Sequence, residues 1–118
     1  MNIWIETRKE RHALGNDDRD DWAYGKVLWS PTTNKAGSKT YELMKQPVKG
    51  DLVLHFYETL GVRYYHARSK VTKSCQVSYE TPNNPGTWGW ANEFYRIDIG
   101  NFELIKNPID VRNFTEIH

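Results

Sequence analysis

The chain reads as a small α+β domain built on a strongly curved sheet or pseudo-barrel of about six strands with short flanking helices. Three observations predict it. Short apolar runs recur between Gly, Pro and Asn turn signals, and no strand–helix–strand rhythm of a parallel α/β sheet links them. Only 38% of the residues are apolar, yet 14% are aromatic, with five Trp and seven Tyr. Each buried ring removes roughly 150–250 Å² from water, so a few aromatics substitute for many aliphatics. At 118 residues the chain has room for one core and one domain, spanning 1–118.

The first strand is expected over residues 2–6, where Ile3 and Ile5 alternate with Trp4 and neither face is strongly polar. Residues 7–22 lose that periodicity and read as a short helix or an irregular loop. They end in the cluster Asp17, Asp18, Asp20 and Asp21, which lacks the alternating oxygen ligands, central Gly and distal Glu of a calcium loop. A solvated loop is the expectation there. Residues 22–29 form the second strand, with Gly25 a bulge position and Trp29 at the strand end, before the Ser30-Pro31 turn. The composition of 30–38 is that of a loop. Residues 39–46 place Tyr41 and Met44 on one side of a short amphipathic helix, capped by Ser38 and stopped by Pro47.

Lys49-Gly50-Asp51 then turns into the most hydrophobic strand, 52–57, and residues 58–61 close a hairpin onto 62–70. Residues 71–79 fit a strand continuation or a helical turn. The longest loop, 80–89, holds two prolines and two glycines beside Trp88. A last pair of strands is expected over 91–99 and 101–105 with a turn at Gly100-Asn101. Asn107-Pro108 should end the sheet, leaving 109–118 as a loosely ordered tail.

The net charge of +1 hides an uneven distribution. Residues 26–73 carry nine bases against three acids, residues 1–25 four against six, and residues 74–118 three against six. A basic middle suits a phosphate-tracking face, and scattered solvated lysines give the same tally. No apolar run approaches the roughly 18 residues of a membrane span, and no secretory signal opens the chain. The single cysteine, Cys75, fits a reducing compartment, so the expected location is cytoplasmic, with no membrane partner.

Catalytic signatures are missing: no G-x-S-x-G, H-E-x-x-H, P-loop or C-x-x-C is present. His55 and His66 fall on neighbouring strands without a third ligand, and read as structural or surface residues rather than a zinc site. No catalytic residue, metal or cofactor is expected. Binding is better supported. Trp29, Trp88 and Trp90 lie in loops or at strand ends, with Phe56 a further wall, although Phe56 also reads as core together with Trp4 and Phe102. A base stacked on an aromatic ring gains roughly 1–3 kcal/mol, and a methyl-sized apolar group in a dry box about 0.8 kcal/mol.

The order LWSP, a loop with Asn and Gly, YELM, VKGDLVLHF and then ARSKV resembles the EVE branch of the PUA-like superfamily, in particular the module attached to modification-dependent restriction endonucleases. The match covers residues 22–72 well and the remainder loosely. A more distant similarity is to YTH readers of methylated adenine, in which one cage Trp precedes a Ser at a strand end and another comes from a late loop. Matched in this way, Trp29 before Ser30 takes the first position and Trp88 or Trp90 the second.

The resemblance implies a reader of a methylated or hydroxymethylated base, flipped from duplex DNA into an aromatic cage, working in a restriction or defence system. Any cleavage would come from a separate nuclease domain or subunit. It also implies Lys35, Lys39, Arg63, Arg68, Lys70 and Lys73 as phosphate contacts, with Ser30 and Asn34 at the base edge. RNA or nucleotide binding on the same PUA-like fold is the first alternative, and a small ASCH-type ribonuclease the second. On this reading Trp29→Ala should abolish discrimination between modified and plain DNA with the fold intact.

Overall fold

The computed structural model describes residues 1–9 and 19–113, which form a five-stranded mixed sheet curled into a half-barrel. In chain order the strands are β1 (Ile3–Lys9), β2 (Val27–Pro31), β3 (Leu52–Thr59), β4 (Val62–Ser78) and β5 (Phe94–Asp110). Their order across the sheet is β1-β3-β4-β5-β2. β1 pairs with β3 in parallel, and every other neighbouring pair is antiparallel. The curved sheet is therefore as expected. Its flanking elements are not α-helices: among the described residues there are only short 3-10 turns, including Glu42–Lys45 and Gly86–Trp88. Tyr41, not Ser38, precedes the first of these, and its side chain makes no capping bond.

Local chemistry explains the best-read parts. Asp51 ends the Gly50 turn by accepting from the Val48 N–H at 3.0 Å, the Asn2 N–H at 3.1 Å and Trp4 Nε1 at 2.8 Å. This ties β1 to the start of β3. Leu60 and Gly61 both have positive φ, 52° and 77°, the requirement of a two-residue type I′ hairpin joining β3 to β4.

Two expected strands merge into β5. Asn101 adopts φ 54°, but the chain does not reverse there. Lys70 pairs with Gly100 and Arg68 with Glu103, so one extra residue stands on β5 and makes a bulge. A Cβ at Gly100 would lie 2.8 Å from Thr72 Cγ2, so a larger residue there would have to displace that side chain. Further on, Tyr65 pairs with Ile109 and Ala67 with Leu104. Pro108 sits in the irregularity between these pairs, where its missing N–H breaks no ladder bond, so the sheet runs on past Asn107-Pro108 to Asp110. Likewise 71–78 continues β4 and is not a helical turn. Residues 10–18, with Asp17 and Asp18, and residues 114–118 of the expected tail lie outside the described residues.

β2 begins at Val27, later than expected, and extends through Ser30 and Pro31. Thr32 N–H donates to Glu93 O and Ile99 N–H to Lys26 O, so the even-numbered residues of β2 bond β5. By the alternation of an antiparallel ladder, the backbone groups of Val27, Trp29 and Pro31 point the other way, toward the free edge. Proline is tolerated at position 31 for that reason.

Two apolar clusters hold the curl. Trp22, Val27, Trp29, Ala91 and Phe94 form one, with Trp88 packed against it. Leu28, Val53, Val71, Ile97 and Ile99 form the other, joined by Met44 and Cys75. No helix of the described residues is long and apolar enough to cross a membrane.

Candidate functional site

β1 and β2 are the two outer strands of the sheet, yet both line one cleft of about 740 Å³. The cleft is the open side of the half-barrel. Residues 4–9 form one lip and residues 28–30 the other. Tyr41 and Met44, and the loop bearing Gly86 and Trp88, close the sides. On the β1 lip, the Leu52 N–H donates to Asn2 O, so even-numbered residues of β1 bond β3. The backbone groups of Ile5 and Thr7 therefore face the opening.

The aromatic wall comes from three separate parts of the chain. Trp29 and Trp88 meet edge to face, with centroids 5.2 Å apart and planes at 75°. Tyr41 meets Trp88 at 5.9 Å and 77°. The two indoles thus make a corner with no slot between them. Trp29 also contacts Trp22 at 5.8 Å and Phe94 at 5.8 Å, and the Arg19 guanidinium lies 5.5 Å from its ring centroid. It is only 8% exposed. Trp29 does not end its strand as expected: it lies within β2, packs in the core and reaches the cleft in part. Trp88, half-buried, is the ring better presented.

A buried polar chain stands behind the β1 lip. Glu6 binds Arg8 Nε through one oxygen and His55 Nδ1 at 2.8 Å through the other, and His55 Nε2 meets Ser69 Oγ at 2.8 Å. A carboxylate only accepts, so Nδ1 of His55 donates to it. Burial alone would raise the Glu6 carboxyl, but the His55 hydrogen bond and the Arg8 charge outweigh it and hold the group below its ordinary range. Beside this chain, Tyr24 Oη lies 2.7 Å from His66 Nε2, and the Arg8 guanidinium lies over the Tyr24 ring at 4.5 Å. Burial raises the Tyr24 hydroxyl pKa and lowers that of His66. The carboxylate–imidazole–hydroxyl order is that of a hydrolytic triad. Ser69, however, is 1% exposed and does not line the cleft, so no substrate reaches its Oγ. Both histidines are interior structural residues.

Of the residues expected to bind a base, Trp29, Ser30 and Trp88 line the cleft. Trp90 does not, and is 40% exposed. Asn34 closes its own loop: Oδ1 accepts from the N–H groups of Ala36 and Ser38, and Nδ2 donates to Thr40. Phe56 is buried against Tyr65. None of Lys35, Lys39, Arg63, Arg68, Lys70 and Lys73 lines the cleft. Lys35 and Lys39 are exposed on the loop after β2, and the other four are exposed along β4, where Arg68 pairs with Glu103 at 3.2 Å. Among the described residues the bases that do line it are Arg8, Lys9 and Arg19, and the acid is Glu6. No group of three His, Cys, Asp or Glu residues placed to hold a metal occurs among the described residues.

Sequence reasoning missed the inward face of β1. Trp4, Glu6 and Arg8 turn inward, while Ile3 and Ile5 are 57% and 62% exposed. Alternation was legible and Trp4 read as core, but nothing in the sequence marked Glu6 and Arg8 as sharing its inward face. No protein-family model matches the chain, and no curated protein matches its sequence.

Proposed function

We propose that this protein is a nucleic-acid-binding reader of the EVE type within the PUA-like superfamily. It holds one modified base, turned out of duplex DNA, in the cleft between β1 and β2. The observation that carries this reading is the convergence of Trp29, Trp88 and Tyr41 on a cleft whose lining, among the described residues, holds three bases and one acid. Because the indoles meet at a corner, the base stacks on the Trp88 side and its methyl or hydroxymethyl group enters the angle between the rings. Stacking contributes roughly 1–3 kcal/mol, set against a few kcal/mol for extruding the base. The remaining affinity comes from phosphate contacts. Cleavage belongs to a partner nuclease in a restriction or defence system.

The cleft volume favours a second reading. At about 740 Å³ the cleft falls in the range of small-molecule sites, roughly 300–1,000 Å³. A whole nucleotide, free or at an RNA end, is the alternative ligand. A panel of duplexes carrying methylcytosine, hydroxymethylcytosine or methyladenine, beside plain duplex and RNA of the same sequence, separates the two. The proposal expects one modified duplex to bind best and Trp88→Ala to erase that preference in a folded protein. Equal binding of modified and plain duplexes overturns it.

A further inference from the structure

We propose that Arg8 is a phosphate-binding residue inside the cleft, held ready by Glu6 and Tyr24. The identity of the phosphate's carrier, a nucleotide, rests on the reading just given. The Arg8 side chain is only 15% exposed, its Nε is fixed by Glu6, and its guanidinium plane lies over the Tyr24 ring. Among the described residues neither Nη atom has a hydrogen-bond partner. Among the described residues no side-chain nitrogen or oxygen is both sealed from solvent and unpartnered, so both Nη atoms keep contact with solvent, and Arg8 lines the cleft.

A guanidinium with Nε tied down and its outer nitrogens open is set to grip two oxygens of one phosphate, and little freedom is lost on doing so. The Glu6 carboxylate would repel an anion, but it already accepts from Arg8 and His55. It is the one acid among the described residues of the lining, beside Arg8, Arg19 and Lys9, the last paired with Glu58 at 2.7 Å. Glu6, His55 and Ser69 act here as positioning residues: their hydrogen-bonded chain fixes Arg8 to β3 and β4. The bases read from sequence as phosphate contacts lie elsewhere, so this position is additional to them.

The test compares the common nucleosides with their 5′-monophosphates by calorimetry, alongside inorganic phosphate and a dinucleotide carrying a phosphodiester. Monophosphates should bind the wild type at least about tenfold tighter than nucleosides. Arg8→Lys, which keeps the charge but not the fork, should erase that ratio. Glu6→Gln should reduce it several-fold. Equal affinity for nucleoside and monophosphate in the wild type, or a ratio that survives Arg8→Lys, overturns the assignment. The Arg8 side-chain NMR signals of the wild type give a readout independent of variant folding: they should shift on adding inorganic phosphate, and no shift also overturns it.

Trp88→Ala should weaken nucleoside and monophosphate alike, with the ratio preserved. If nucleosides fail to bind while phosphate still shifts Arg8, the base reading falls and the Arg8 site stands. If base-dependent binding persists without any phosphate preference, the reverse holds. Tighter binding of the dinucleotide assigns the phosphate to a nucleic-acid backbone, and tighter binding of the monophosphate to a free nucleotide.

Discussion

At Trp29 the indole packs against Trp22, Phe94 and Trp88 with 8% of its surface exposed. Trp29→Ala is therefore expected to destabilise the protein by about 3–5 kcal/mol, read as a lowered urea midpoint. Trp88→Ala, at the margin of the same cluster, should cost clearly less. A Trp29→Ala variant of near-native stability would show that the indole is not structural. His66 gives a pH signature. Burial, then the neighbouring His55 charge, lower its pKa below the ordinary 6.5. A group lowered on folding stabilises fully above its unfolded pKa, and that stabilisation is lost as pH falls toward the folded value. The melting temperature should hold above about pH 7 and fall from there toward pH 5. His66→Gln should flatten that segment. Glu6, also held low, adds a further loss below its ordinary 4.5.

At the scale of elements, β1 depends on one parallel neighbour and on Asp51. The hydrogen bond from Trp4, then those from the Val48 and Asn2 amides, hold the Asp51 carboxyl below its ordinary range. Asp51→Asn turns an acceptor-only group partly into a donor facing donors. Faster hydrogen exchange along β1, with β4 and β5 still protected, is the expected result. Uniform exchange across the sheet would show that Asp51 does not secure this strand. In the β3–β4 hairpin, Leu60 is 98% exposed with φ 52°, a conformation that Asn before Gly adopts more readily. Leu60→Asn should stabilise the protein by roughly 0.5–1 kcal/mol with an unchanged m-value.

Over the whole molecule, the proposed ligand meets the three bases that line the cleft among the described residues, while the six expected from sequence as phosphate contacts lie outside it. Each phosphate contact on duplex DNA adds about 0.9 to the slope of log affinity against log salt. Binding confined to the cleft therefore predicts a slope no steeper than about −3, measured by anisotropy across a salt series. A slope near about −5 would bring in the exposed bases of β4 and of the loop after β2, and a slope near zero would remove nucleic acid as the ligand.

The sequence by itself determined β3, the Gly50-Asp51 turn, the tight hairpin after Thr59 and the loop that carries Trp88, because Gly, Pro and Asp constrain only their neighbours in the chain. It also made an aromatic convergence reasonable to expect. Only the tertiary structure decided which face of β1 turns inward, since period-2 alternation is the same whichever side is buried. It likewise decided that Gly100-Asn101 is a bulge rather than a hairpin, because β4 is long enough to pair on both sides of it. The cleft belongs to the same class. Its lips are strands separated by three others in the sheet, and their approach depends on the accumulated curl of the bulged strands between them, a quantity that no short window of residues encodes.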